Sequence, residues 1–339
     1  MPSVTATCPN GPCRFAQSGG GGIDNWGALT LINTTVSDNV AGGGVTAQAN
    51  GGGILGEAGS RLTLVNSTVK GNRVSVSAPN GRFAQGGGIY DFSGRALDVR
   101  GSTVSGNRAE AALAMPASVD VSAACAGICV GEGTVATIRG SVISSNVVSG
   151  SNTLGNGVFC GGGVSTGEGG SFVLDASTVS NNQVRASARS TSSTPGAFLA
   201  CSGAIDVFAS KIRISNSRIV GNAARASTTS GAVLVVAGAV STVSGNALIT
   251  NTVFSRNSGI AVSAKGSAIA YGGGIANGGV LELRQSKLTD NTARARARKA
   301  VAHGGGIFDG QIPDLDQPGQ VKILRSAIAR NTPDQCYEC

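Results

Sequence analysis

Gly51-Gly52-Gly53-Ile54, followed by Arg61-Leu62-Thr63-Leu64-Val65-Asn66-Ser67-Thr68-Val69-Lys70-Gly71-Asn72, is one copy of a pattern written along the whole chain. Its closing asparagine recurs as Asn39, Asn72, Asn107, Asn146, Asn182, Asn222, Asn257, Asn291 and Asn331, at steps of 33 to 40 residues. Three, eight and ten places before each of these asparagines the residue is apolar: Leu29, Leu31 and Val36 in the first copy, Ile212, Ile214 and Ile219 in the sixth, Val321, Ile323 and Ile328 in the last. A glycine-rich tag precedes the blocks, as in Gly86-Gly87-Gly88-Ile89 and Gly304-Gly305-Gly306-Ile307. Self-similarity at this period marks a stacked repeat, in which each unit buries its apolar face against its neighbours.

Within one copy, Arg61 to Val65 alternates apolar and polar residues, the period of a strand with one buried face. Asn66-Ser67 turns the chain into a second short strand, Thr68-Val69-Lys70. Gly71-Asn72 then reads as a corner at which asparagine adopts the left-handed backbone conformation. A column of asparagines at equivalent corners can pass amide hydrogen bonds from coil to coil. The dozen or more residues after each asparagine alternate as well, as in Val74-Ser75-Val76-Ser77 and Ala293 to Arg298. They read as arms or hairpins leaving the coil, turning at Pro79-Asn80-Gly81 and Pro195-Gly196. The expectation is an all-β, right-handed parallel β-helix of about nine coils, a single domain over residues 1–339.

Composition agrees with a thin core. Hydrophobic residues make up 41% of the chain but aromatics only 4%, so Val, Ile, Leu and Ala must fill it. Glycine is abundant at 53 residues, yet it follows no three-residue period, which excludes collagen. No apolar run is long enough for a membrane span. The net charge of +8, carried mainly by arginine, favours anionic partners. Eight cysteines, an even number, fit an oxidising compartment. The N-terminus nevertheless lacks a secretion signal. The stretch from Pro9-Asn10-Gly11 through Arg14-Phe15-Ala16-Gln17 mirrors Pro79 to Gln85, so the sequence opens in mid-repeat and reads as N-terminally truncated. Residues 332–339 read as a short C-terminal cap.

The tag Gly-Gly-x-Ile/Val, paired with an ending of the type Phe254-Ser255-Arg256-Asn257, resembles the repeats of bacterial right-handed parallel β-helix proteins. These are the polymorphic outer-membrane and autotransporter-passenger group, with an architecture like the pectin-lyase superfamily. The resemblance covers residues 19 to 331. It implies an extracellular or cell-surface protein, either an adhesin or a polysaccharide-active one.

Candidate sites follow from charge and register. Pectin-lyase-like hydrolases use clustered aspartates with a histidine; here His303 stands alone, in a column shared with Gln85, Cys160, Cys201 and Tyr271. Glu57, Asp91, Glu132, Glu168, Asp206 and Asp309 all follow the tag closely. Glu132 and Glu168 share a register in consecutive coils, and two stacked carboxylates suit acid–base catalysis or cation binding. The loop after Ile307 is longer than its equivalents and carries Asp309, Asp314 and Asp316, a set of oxygens suited to calcium. Arg185, Arg189, Arg225, Arg294, Arg296 and Arg298 lie in the stretches after the asparagines, where alternation turns them to one face as a grip for a polyanion. Nucleic acid is disfavoured, because the strip lacks interleaved aromatics. Cys160 and Cys201 occupy the same register in consecutive coils and are close enough to crosslink. Cys8 with Cys13, Cys125 with Cys129, and Cys336 with Cys339 form the other clusters; zinc competes with disulfides for the four mid-chain cysteines.

The sequence therefore points to a non-catalytic secreted or surface scaffold that binds acidic glycan or cell-envelope material. A polysaccharide lyase or glycoside hydrolase is the alternative, and a purely structural spacer the third reading.

Overall fold

A computed structural model describes residues 17–43, 48–77, 83–113, 121–154, 156–191, 198–208, 211–243, 245–311 and 319–339. Among them there is no helix, and every named strand pairs in parallel with its equivalents in the neighbouring repeats. The chain winds as a parallel β-solenoid. One repeat contributes five walls: Phe83–Gln85, Ile89–Asp91, Ala96–Arg100, Thr103–Ser105 and Arg108–Leu113. Numbered in that order, walls one to five stack into ladders of nine, ten, nine, nine and eight strands. The solenoid makes about seven turns rather than nine coils, because the first and last rungs are each covered on one side only. That openness shows in the last rung, where Ile323 is exposed although its equivalents Leu283 and Ile249 are buried.

Two cores fill each turn. Walls two, three and four enclose Ile54, Leu62, Leu64 and Val69 and their equivalents. Walls five and one enclose a second, alanine-rich core that includes Val74, Val76, Ala84, Ala109 and Ala123. The stretches after the asparagines are therefore not arms or hairpins. They form wall five, bonded rung to rung and packed face to face on wall one across small side chains. The proposed turn residues, 79–81 and 195–196, lie outside the described residues. Phe159 is wholly buried in this lobe, and Gly150 faces it where any Cβ would strike the ring.

The tag glycines form the waist between the two cores. A Cβ on Gly53 would lie 2.9 Å from Asn72 Nδ2 and 2.6 Å from the Gly88 carbonyl. The tag and the asparagine are thus one device: glycine gives up its side chain so that the amide can stack beside it. The ladder itself is buried. Asn72 donates from its backbone N–H and from Nδ2 to Asn107 Oδ1, both at 3.0 Å, and from Nδ2 to the Val36 carbonyl at 3.0 Å. The left-handed residue at this corner is not the ladder asparagine but the one before it, such as Gly71 (φ 65°), Gly106 (φ 64°) or Asn181 (φ 56°). A side chain committed to the interior leaves the turn to its neighbour. Between walls three and four runs a second ladder of hydroxyls, in which the N–H groups of Ser67 and Ser102 donate to Ser102 Oγ and Ser141 Oγ at 3.0 and 3.1 Å.

Candidate functional site

The outer face of wall five carries a broad concavity. Its strands are longest at Val147–Leu154, Gln183–Ser190 and Ala223–Ser230, each of eight residues. Alternation buries Val148, Val184, Ala224 and Ala226 and turns the intervening residues outward. One outward column runs Ser149, Arg185, Arg225, Ile260 and Arg294. Beside it runs Ser151, Ser187, Ser227, Val262 and Arg296. The central part of these columns forms a trough of about 770 Å³ with arginines on a floor of serines. Arg185 Nε is oriented by a 2.7 Å hydrogen bond to Gln183 Oε1. At the trough's N-terminal end Glu110 accepts from Arg73 Nε at 2.8 Å and lies 3.6 Å from Arg108, so its charge is already engaged. Among the described residues Arg185, Arg225 and Arg294 form no ion pair. Arg189 is exposed toward the far end of its strand, and Arg296 and Arg298 are exposed on the last rungs of the same face.

The second concavity is the valley where walls one and two meet. Glu132 and Glu168 flank it from the exposed turns that lead from wall two to wall three on consecutive rungs, joined through the Gly133 N–H and the Glu168 carbonyl at 2.8 Å. They border a groove of about 460 Å³ that also takes in Gln85, Tyr90, Phe92 and Phe208. Burial, with Glu57, Asp91 and Glu132 nearby, pushes the Tyr90 hydroxyl up to about 12. The aromatic side chains of this groove are not legible in the sequence. They fall one and three places after the aligned residue, and only the stacked register brings those positions to one surface.

The tag-proximal acids do not form one column. Glu57, Glu132 and Glu168 lie on the turns. Asp91 and Asp309 point inward at the corner between walls two and three, and Asp206 lies one residue earlier, facing the valley. A strand's two-residue period separates them, since neighbouring positions face opposite sides. Asp91 is wholly buried beside Ser60 and Gly94, and burial, opposed by Ser60, raises its pKa to about 6. Asp206 is also wholly buried, and burial, opposed by the Ser241 hydroxyl, raises its pKa to about 7. Asp309 accepts a 2.7 Å hydrogen bond from Asn277 Nδ2, and burial raises its pKa too. Asp314 and Asp316, its proposed partners for calcium, lie outside the described residues.

Disulfides join Cys125 to Cys129, Cys160 to Cys201 across adjacent rungs, and Cys336 to Cys339. Cys8 and Cys13 lie outside the described residues. His303 stacks on Tyr337, ring centroids 4.0 Å apart, next to a Tyr271–Phe308 stack at 4.1 Å; this aromatic group closes the valley at its C-terminal end. No described helix is long and apolar enough to cross a membrane. Comparison with protein-family models, with curated proteins and with solved structures finds no match to this chain.

Proposed function

We propose that this chain is an extracellular or cell-surface β-solenoid, of the kind found in bacterial β-helix adhesins, that binds an acidic polysaccharide or cell-envelope polymer along wall five without cleaving it. The observation that carries the reading is the pairing of Arg185 with Arg225 in one outward column over a serine floor. Adjacent rungs are spaced by roughly 4.8 Å, of the order of one sugar unit, so a polymer laid along the solenoid axis meets cations at two successive rungs, Arg185 and Arg225, and a third at Arg294 two rungs on. Guanidinium groups suit carboxylate or sulfate, and serine hydroxyls suit ring hydroxyls. The disulfide between rungs supports an oxidising compartment.

Retention on an immobilised polyuronate, with a neutral glucan as control, tests the reading. The parent should be retained on the polyuronate alone and released by about 1 M salt, where the screening length falls to roughly 3 Å. Changing Arg185 and Arg225 together to alanine should weaken binding about tenfold, the sum of two exposed charged contacts. Equal retention of parent and variant would place the binding surface elsewhere.

The valley supports a second reading. Tyr90, Phe92 and Phe208 beside Glu132 and Glu168 offer ring faces for a sugar next to two carboxylates, the elements of a glycoside hydrolase or polysaccharide lyase. If so, incubation with a panel of acidic polysaccharides produces new chain ends, and Glu132→Gln or Glu168→Gln lowers the rate by two or more orders of magnitude, on the scale of a lost acid–base group. A parent protein that produces no new ends removes this reading and leaves the arginine trough unaffected.

A further inference from the structure

At the Phe208 end of the aromatic groove, the valley holds a cluster of a different kind. Ser165, Asp206 and Ser241 follow one another up wall two, and Cys160 and Cys201 face them from the end of wall one. One carboxylate oxygen of Asp206 and the two sulfurs all lie within 4.8 Å of one another. Asp206 is wholly buried, and among the described residues neither of its oxygens has a hydrogen-bond partner. The Ser241 hydroxyl beside it is not aligned for a full bond, and it too lacks a partner, as does the Ser202 hydroxyl. Five other rungs place Leu55, Tyr90, Cys129, Ala276 or Phe308 at this position, and the column's other carboxylate, Asp24 on the first rung, is exposed, so a buried carboxylate here is a local departure. A buried carboxylate without donors is costly, and two remedies exist: a proton or a cation.

We propose that Cys160, Cys201 and Asp206 form a binding site for a zinc-type divalent cation, opened when the Cys160–Cys201 disulfide is reduced. Two thiolates and one carboxylate are a donor set for zinc, and a water completes the tetrahedron. The sulfurs discriminate against calcium and magnesium, which take oxygen ligands. Tetrahedral bonds of about 2.0 to 2.3 Å set the ligand atoms roughly 3.3 to 3.8 Å apart, a separation open to the two sulfurs once the disulfide is reduced, and the Asp206 oxygen lies within 4.8 Å of both. The Cα atoms of the two cysteines are 4.5 Å apart, so adjacent rungs hold the sulfurs together whether or not they are bonded. Ser165, paired with Asp206 on wall two, lines the groove that runs beside the cluster.

The chemistry balances with an external dithiol. Two electrons and two protons pass from the dithiol to the Cys160–Cys201 bond, giving two thiols, while the dithiol closes to its own disulfide. Zinc then displaces the two thiol protons to solvent. The oxidised protein lacks both thiolates and does not hold the cation. Metal occupancy thus reports the redox state of the surroundings, independently of what wall five binds.

Cobalt is the probe, added anaerobically to the full chain after reduction with a phosphine, which ends as its oxide with oxygen and both protons drawn from water. The reduced parent should show a sulfur-to-cobalt charge-transfer band that zinc abolishes, and the oxidised parent should show none. Other cysteine pairs are freed as well, so differences between variants carry the test. Cys201→Ser should remove the contribution of this site. Asp206→Asn, which keeps size and fold, should retain both sulfurs but weaken cobalt binding at least tenfold. Changing Cys125 and Cys129 together to serine should leave the Asp206-dependent component in place. A sulfur–cobalt signal of unchanged strength and affinity in Asp206→Asn, or the same signal from the oxidised parent, overturns the proposal.

Discussion

Replacing Asn182 by alanine is expected to destabilise the solenoid by about 4 kcal/mol, far more than the loss of one ordinary hydrogen bond. Asn182 is wholly buried and works in both directions. Its Oδ1 accepts the Asn146 backbone N–H at 3.1 Å and Asn146 Nδ2 at 2.9 Å. Its Nδ2 donates to the Ile143 carbonyl and to Asn222 Oδ1, both at 3.0 Å. Alanine leaves two donors of Asn146 and the Ile143 carbonyl without these partners in a place water does not reach. Each buried unsatisfied group costs about 1–3 kcal/mol, which sets the sum. The same change at Asn39, a half-buried residue on the first rung, should cost under about 1 kcal/mol, because solvent replaces what is lost. Urea midpoints of the two variants decide the matter. Equal shifts at both positions would mean that the ladder is ornament and that packing alone holds the rungs.

The ladder also shows how far sequence reasoning reaches. The recurrent asparagines, the three apolar positions before them and the glycine tag are enough to predict stacked parallel coils, because each carries a one-dimensional signal of fixed spacing. The role of Asn72 at its corner is harder to see: asparagine suits both a left-handed turn and a buried amide stack, and only the stacking shows that Gly71 takes the turn. The stretches after the asparagines alternate like any strand, so their pattern does not distinguish an excursion from a wall. Chemistry is the least legible part. Six acids cluster near the tag in the sequence, but a shift of one residue sends Asp206 to the valley and Asp91 to the interior. The groove aromatics Tyr90, Phe92 and Phe208 come from two rungs on either side of the Glu132 rung and its neighbour, a proximity that no local spacing records.

Asp91 should make the stability of this protein fall as pH rises, and Asp91→Asn should remove that part of the dependence. Burial raises the carboxyl from its ordinary value of 3.8 to about 6 in the folded chain, opposed by Ser60. Between those values the folded state holds a proton that the unfolded state has released. Stability therefore declines as pH rises through this window, with no cost below pH 3.8 and the full cost reached above about pH 6. A rise of that size corresponds to about 3 kcal/mol at pH 8. Glu57, Glu132 and the Tyr90 hydroxyl also face this region, and Asp206 and Asp309, with raised values of their own, slope the same way. Asp175 and Asp290, whose values are lowered by hydrogen bonds from Ser215 and Arg330 respectively, slope the opposite way. All of them remain in the variant, so the difference between parent and Asp91→Asn isolates one carboxyl. An amide carries no charge at any pH and fits the same space beside Ser60 and Gly94. The variant should thus be more stable than the parent at pH 8, by up to about 3 kcal/mol, with the gap closing toward pH 4. Urea midpoints across that range make the comparison. Two curves that stay parallel would mean that Asp91 ionises in the folded chain as readily as in the unfolded one, and that its corner is not the dry place its burial describes.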